Sequence, residues 1–193
     1  MKEVYIVGFS RTPIGSFHGE LSGVPATRLG AVAIRGALDR AGLAPGDVGE
    51  VLMGNVLTAG EGQAPANQAS IYARIPTRVP CTTVNKVCAS GMKAIMFGAQ
   101  AIQLETHDIV VAGGMENMSR VPYYLDKARG GYRLGHGELV DGIIADGLWD
   151  PYKDFHMGTA AELCAARYRL TSEEQDVFAR RSYERVAWAY EKG

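Results

Sequence analysis

Cys88 is the residue whose type and setting point most directly to chemistry. It stands in Val84-Asn85-Lys86-Val87-Cys88-Ala89-Ser90-Gly91-Met92-Lys93, behind a short apolar run and at the opening of a stretch with helical spacing. A thiol at a helix N-terminus meets amides the helix leaves unpaired and the positive end of its dipole, and both favour the nucleophilic thiolate. Gly91 removes a side chain just beyond it, so another chain segment or a substrate can approach the backbone there. The alternative for any cysteine is a small buried hydrophobe. That is the reading for Cys81, inside an apolar run, and for Cys164, on an apolar helix face. A thiol nucleophile normally works with a base, and the sequence offers His18, His107, His136 and His156. The first three read as solvated loop histidines, while His156 abuts a helix start and is the best placed to line a site. The phosphate loop, Gly-x-Gly-x-x-Gly, His-Glu-x-x-His, Gly-x-Ser-x-Gly and Cys-x-x-Cys patterns are all absent from the sequence. The residues alone therefore describe a candidate cysteine enzyme with no assigned base.

The elements that must position Cys88 follow from periodicity. Val4-Tyr5-Ile6-Val7, ended by Gly8, reads as a strand buried on both faces. Pro25 suits a helix start, Leu29, Val32, Ala33, Gly36 and Ala37 recur at helical spacing, and Gly42 and Pro45 stop that helix. Val51-Leu52-Met53 reads as a strand, 65–74 as a short helix, 79–84 as a strand, 88–104 as a helix with Gly91, Met92, Ile95, Ala99 and Ile102 inward, and 109–112 as a strand. Strands alternating with helices are βαβ units, whose right-handed crossovers build a parallel sheet covered by helices. Residues 114–156 hold many Gly, Asp and Tyr without a period, too long a stretch for a connector and therefore a functional excursion. Met157, Ala160, Ala161, Cys164, Ala165 and Tyr168 mark one apolar helix face. Thr171-Ser172-Glu173-Glu174 is a capping box opening a last helix that runs to Tyr190 and ends at Gly193.

Composition limits the function classes. The 193 residues carry 20 Lys+Arg against 21 Asp+Glu, a net charge of −1, which argues against affinity resting on bulk attraction to nucleic acid or anionic lipid. A hydrophobic share of 47% and a charged share of 21% describe a chain able to build a core. The 24 glycines point to many tight turns and close approaches. Three cysteines cannot all pair, which disfavours a disulfide framework and favours a reducing compartment. No run reaches the roughly 18 apolar residues of a membrane span, and nothing N-terminal resembles a signal peptide, so the expectation is a cytoplasmic protein without a membrane partner.

Asn85-Lys86-Val87-Cys88-Ala89-Ser90-Gly91-Met92-Lys93-Ala94 resembles the nucleophile segment of the thiolases. Three more segments match that family in order: Arg11-Thr12-Pro13-Ile14-Gly15, Gly113-Gly114-Met115-Glu116-Asn117-Met118-Ser119 and His156-Met157-Gly158-Thr159-Ala160-Ala161-Glu162. With Asp146-Gly147-Leu148, the likeness leans to the short-chain, biosynthetic acetyl-CoA acetyltransferases. The resemblance implies an α/β, thiolase-like fold with a parallel or mixed sheet, of which this chain is about half. Residues 1–118 would be the domain carrying the nucleophile. Residues 119–193 would be the first part of a loop domain that binds coenzyme A and carries tetramer contacts. Cys88 would take an acyl group from one acyl-CoA as a thioester, and the carbanion of a second acetyl-CoA would attack it to give acetoacetyl-CoA, with cleavage as the reverse. The Cys88 amide would help form an oxyanion hole, and Leu148, His156 and Met157 would line the pantetheine and acyl pocket. No metal and no cofactor are implied, coenzyme A entering as substrate and product.

Thiolases are about twice this length. Their second half supplies a Gly-His-Pro histidine that activates the nucleophile, a Cys-x-Gly cysteine that deprotonates the second substrate and an asparagine that holds a water. Neither motif occurs in this sequence. The expectations are therefore a thiolase half completed by a chain bearing the C-terminal half within an oligomer, or a non-catalytic half serving binding or assembly. A β-ketoacyl synthase, which shares fold and nucleophile, is the alternative enzyme.

Overall fold

The computed structural model describes residues 2–192 and divides the chain into two compact units, Met1–Gly147 and Leu148–Gly193. The first is built on three parallel strands, β1 (Glu50–Gly54), β2 (Cys81–Val84) and β3 (Val110–Gly114), in the order β2-β1-β3. Val51 stands opposite Cys81 on one side and Val111 on the other. Helices α1 (Ala26–Ala41), α2 (Pro65–Tyr72) and α3 (Ser90–Gln103) connect and cover the strands. The alternation of strand and helix is the βαβ order expected from periodicity. α1 starts behind Pro25 and ends on Gly42, whose left-handed backbone (φ 66°) places its N–H on the carbonyls of Leu38 and Asp39.

Central strand β1 explains the core. All of Val51–Gly54 is buried, and alternate side chains face alternate layers. Val51 and Met53 enter a cluster with Ala26, Ala31, Ile34 and Leu38 of α1 and Ala66 and Ala69 of α2. Leu52 enters a second cluster with Val84 and with Ala94 of α3. A strand sandwiched in this way reads as a continuous apolar run, as Val51-Leu52-Met53 does.

Two sequence expectations fail here. Val4–Val7 forms no strand: Tyr5, Ile6 and Val7 are 71%, 80% and 67% exposed. The segment runs along α1, where the Arg40 guanidinium donates to the Phe9 carbonyl at 2.9 Å, and borders an apolar groove of about 320 Å³ beside β3. A continuous apolar run records a need for cover, and α1 supplies it on one side only. On α3, the expected inner face is also displaced: Ser90, Ala94 and Gly98 are buried, while Met92 is 70% and Ile95 49% exposed. α3 is apolar nearly all round, so periodicity cannot choose the face. Close approach chooses it: a Cβ on Gly98 would stand 3.1 Å from a Val110 methyl, so the stripe of small residues lies on the sheet.

The excursion after β3 holds the antiparallel pair β4 (Tyr123–Tyr124) and β5 (Val140–Asp141) and a π-type turn, Ile144–Leu148. The boundary between the two compact units falls after Gly147, later in the chain than the 118/119 boundary that the family resemblance implies. Residues just past 118 are tied to the first unit by His18 N–H donating to Ser119 Oγ (2.9 Å) and by Arg120 donating to the Gly23 carbonyl (3.3 Å).

The second unit contains the antiparallel pair β6 (Trp149–Asp150) and β7 (Phe155–His156), then helices α4 (Met157–Tyr168) and α5 (Ser172–Lys192). The capping box forms as its spacing predicts: Glu174 N–H donates to Thr171 Oγ1 (3.2 Å) and Thr171 N–H to the Glu174 carboxylate (2.8 Å). The Thr171 N–H, and then the Thr171 hydroxyl donating to the same carboxylate at 3.1 Å, hold the Glu174 carboxyl below its ordinary value. Neither helix has a buried residue, so Cys164, placed by its spacing on an apolar face, is exposed. The expected stop at Gly193 lies outside the described residues. No helix of the described residues is long and apolar enough to cross a membrane.

Candidate functional site

The three parallel strands end side by side at Gly54, Val84 and Gly114, and the carboxyl ends of such strands are where open α/β sheets place their chemistry. Cys88 follows β2 at that end and is exposed. It is not the first residue of α3, as its position in the sequence suggested: the helix begins at Ser90 with Ala89 as its N-cap, and Cys88 sits in the preceding turn. The chain must reverse between strand and helix, and it does so at Val87, whose φ is +48°. A β-branched residue in the left-handed region costs about 1–2 kcal/mol, so this conformation persists only because its surroundings impose it.

Those surroundings are specific. Val87 N–H donates to Asn85 Oδ1 at 2.9 Å. Ser90, buried at 4% exposure, accepts from Lys86 N–H at 2.8 Å and donates its hydroxyl proton to the Val87 carbonyl at 2.5 Å. Ser90 N–H donates to the same carbonyl at 3.0 Å. The N-terminus of α3 carries no side-chain cap, and of its first amides Ser90 N–H and Lys93 N–H are bonded to backbone, which leaves those of Gly91 and Met92 with donor capacity among the described residues. The helix reaches the strand ends because Gly54 lacks a side chain: a Cβ there would stand 2.6 Å from Gly91 N and 2.8 Å from Ser90 Cβ. A Cβ on Gly91 would meet nothing closer than 3.8 Å, so the close approach rests on Gly54 and not on Gly91, where the sequence placed it.

The Gly113–Ser119 segment has a structural task at the same end of the sheet. The Glu116 carboxylate accepts from Val56 N–H (2.9 Å), Leu57 N–H (3.2 Å) and Asn55 Nδ2 (2.9 Å). Asn117 Nδ2 donates to the carbonyls of Leu21, Ser22 and Val24 at 3.1, 3.3 and 2.7 Å. Two adjacent polar side chains therefore fix the loop after β1 and the loop before α1. Nearby, Asn55 Oδ1 and Glu61 Oε2 are buried acceptor atoms without a hydrogen-bond partner among the described residues. Burial first, and then the Glu116 charge, push the Glu61 carboxyl up to about 7, against the opposing pull of Asn55 and Arg120.

Leu148, His156 and Met157 lie together in the second unit. Trp149 pairs with His156 across the β6–β7 ladder, so Leu148 and Met157 adjoin its two strands. His156 is the N-cap of α4, and its Nδ1 accepts from Gly158 N–H at 2.9 Å, which puts the proton of the neutral ring on Nε2. Met157 is 39% exposed. Among the other histidines, His107 packs its ring against the backbone of Gly49 with Nε2 3.9 Å from Glu50, and is thus no simple solvated loop residue. His18 and His136 are exposed. Among the described residues no group of three or more His, Cys, Asp or Glu side chains is placed to hold a metal ion.

Reasoning from the sequence missed Asn85, Val87 and Ser90 as the residues that shape the turn. An Asn and a Ser flanking the cysteine, each able to bond local backbone, were the available signal.

Comparison with known proteins agrees with this architecture. The family profile for "Thiolase, N-terminal domain" matches residues 4–193. Acetyl-CoA acetyltransferase 2 of Arabidopsis thaliana is 58% identical over the whole chain, which covers 48% of that protein. The mitochondrial acetyl-CoA acetyltransferase of Homo sapiens is 51% identical over the whole chain, covering 45% of that protein. The crystal structure of Acat5 thiolase from Ascaris suum in complex with coenzyme A superposes with a TM-score of 0.95 at 43% identity, covering all of this chain and 50% of that one. The chain spans about half the length of the curated relatives it matches. Sheet order, the strained turn before Cys88 and these likenesses lead to one conclusion: the chain belongs to the thiolase family and corresponds to its N-terminal domain.

Proposed function

We propose that this chain is the nucleophile-bearing half of an acyl-CoA acyltransferase that condenses two acetyl-CoA to acetoacetyl-CoA and runs the reverse cleavage. The observation that carries the reading is the exposed Cys88 in a strained turn between the carboxyl end of β2 and the uncapped start of α3. In the first half-reaction the Cys88 thiolate attacks the thioester carbonyl, the oxyanion is held by backbone amides including that of Cys88, and the coenzyme A thiolate leaves and takes up a proton. In the second, the carbanion formed by removing a proton from the methyl of another acetyl-CoA attacks the acyl-Cys88 carbonyl and expels the cysteine thiolate. Leu148, His156 and Met157 line the pantetheine and acyl pocket, and residues 119–193 serve as the start of the loop domain. The names of the relatives favour this chemistry over that of a β-ketoacyl synthase.

Both proton transfers need groups from a C-terminal thiolase half. His156 is no substitute as base, because its Nδ1 is engaged by its own helix. The exposed apolar side chains of α3 (Met92, Ile95, Met96 and Phe97) support a partner chain or self-association, and with it an oligomer. The test is turnover. The 193-residue chain alone should show negligible acetoacetyl-CoA cleavage, since loss of general acid–base help costs roughly 10²–10⁴-fold per step. Mixing it with a chain bearing the C-terminal half should restore cleavage, and Cys88→Ser should abolish it. Full activity of the chain alone would overturn the need for a second half.

A further inference from the structure

We infer that Ser90 is a positioning residue for the nucleophile: its buried hydroxyl clamps the Lys86–Val87 backbone and so holds the turn that presents Cys88. The inference rests on the reading of Cys88 as the nucleophile and adds the residue that sets its presentation. Val87 has an unfavourable left-handed backbone that an isolated chain would leave. Relaxing it would rotate the peptide that joins Val87 to Cys88, and with it the thiol and the Cys88 amide. Ser90 bonds both sides of that residue, accepting from Lys86 N–H at 2.8 Å and donating to the Val87 carbonyl at 2.5 Å. A hydroxyl has one proton to give and lone pairs to accept, and both functions are used here. Burial keeps water from replacing either bond. The Cβ of Ser90 is wedged at the Gly54 end of β1, so the clamp is anchored to the central strand. Asn85 Oδ1 holds only the Val87 N–H, one side of the same residue.

The experiment compares the full 193-residue chain with Ser90→Ala, Ser90→Thr and the double variant Val87→Gly/Ser90→Ala. Limited iodoacetamide labelling with peptide mapping gives the rate at Cys88 relative to Cys164, which is also exposed and serves as a reference in the same molecule. Ser90→Ala should lower that ratio by about five-fold, the effect of losing one to two backbone hydrogen bonds, whereas Ser90→Thr, which keeps the hydroxyl, should stay within about two-fold of the parent. The double variant separates positioning from stability: glycine removes the strain that the clamp opposes, so thermal stability should return toward the parent while the labelling ratio stays low. An unchanged ratio in Ser90→Ala, or a ratio restored together with stability in the double variant, would overturn the positioning role. If the parent chain labels Cys88 no faster than Cys164, it is the nucleophile reading that fails.

Discussion

The two units of this chain solve the same problem to different degrees. In the first, β1 is enclosed between α1, α2 and α3, and its side chains alternate into two apolar clusters. In the second, α4 and α5 form complete helices with a satisfied capping box, yet no residue of either is buried, and Leu163, Phe178, Trp188 and Tyr190 are all more than half exposed. Helical structure in the second unit is therefore specified locally, by capping and spacing, while its apolar surface still calls for cover. At β1 of the first unit, the local signal and the core agree. The same contrast occurs inside the first unit between β1 and the Val4–Val7 run, equally apolar but exposed. A hydrophobic pattern states what must be covered and leaves open what covers it.

The largest expected effect tests that contrast directly. Met53→Ala, at 2% exposure in the core cluster, should cost about 2–5 kcal/mol in urea denaturation of the chain. Trp188→Ala, at 62% exposure, should stay within about 0.5 kcal/mol. A comparable loss at both positions would show that the second unit has cover of its own.

An intermediate effect concerns Glu61, whose carboxyl lies at about 7 in the folded chain against an ordinary 4.5. Between these values the folded chain holds a proton that the unfolded chain has released, so stability should fall as pH rises from about 4.5 to about 7 and level off above. The group is half-buried, and screening by solvent leaves an effect on the order of 1 kcal/mol. Glu61→Gln, which keeps the neutral shape at every pH, should flatten the profile measured by thermal unfolding between pH 5 and 8, and should be more stable than the parent at pH 8. An unchanged profile would mean that Glu61 ionises freely despite Glu116.

The smallest effect belongs to the second unit. Thr171→Ala removes the hydroxyl that receives Glu174 N–H and should cost about 1 kcal/mol or less. It should appear as a small loss of helicity by circular dichroism, with the main unfolding transition unchanged. A shift of that transition would tie α5 to the core of the first unit.

Much of this was legible in the sequence, and the exceptions have physical reasons. α1, β1, α2 and the capping box before α5 follow from local signals: helical spacing between Pro25 and Gly42, an apolar run ended by Gly54, Pro65 at a helix start, and Thr171 three residues before Glu174. The buried face of α3 was not readable, because an all-round apolar helix is oriented by the small residues Ser90, Ala94 and Gly98 rather than by its largest hydrophobes. At the site, the residue type and its strand–turn–helix setting singled out Cys88 and the family resemblance agreed, but the turn that holds it depends on a left-handed valine, a backbone state no propensity would assign. Glu116 and Asn117 were visible as a motif, whereas their task of fastening loops distant in sequence is a property of the fold.

Both units expose a free thiol, Cys88 in the first and Cys164 in the second, so exposure alone cannot make one outpace the other. The most direct test of the central claim is limited alkylation of the intact chain with iodoacetamide, followed by peptide mapping, with and without acetyl-CoA. Cys88 should label first and be protected by acetyl-CoA, with Cys164 and Cys81 slower and indifferent to it. Labelling of Cys164 or Cys81 ahead of Cys88, or no protection by acetyl-CoA, would contradict the assignment of Cys88 as the acyl-accepting nucleophile.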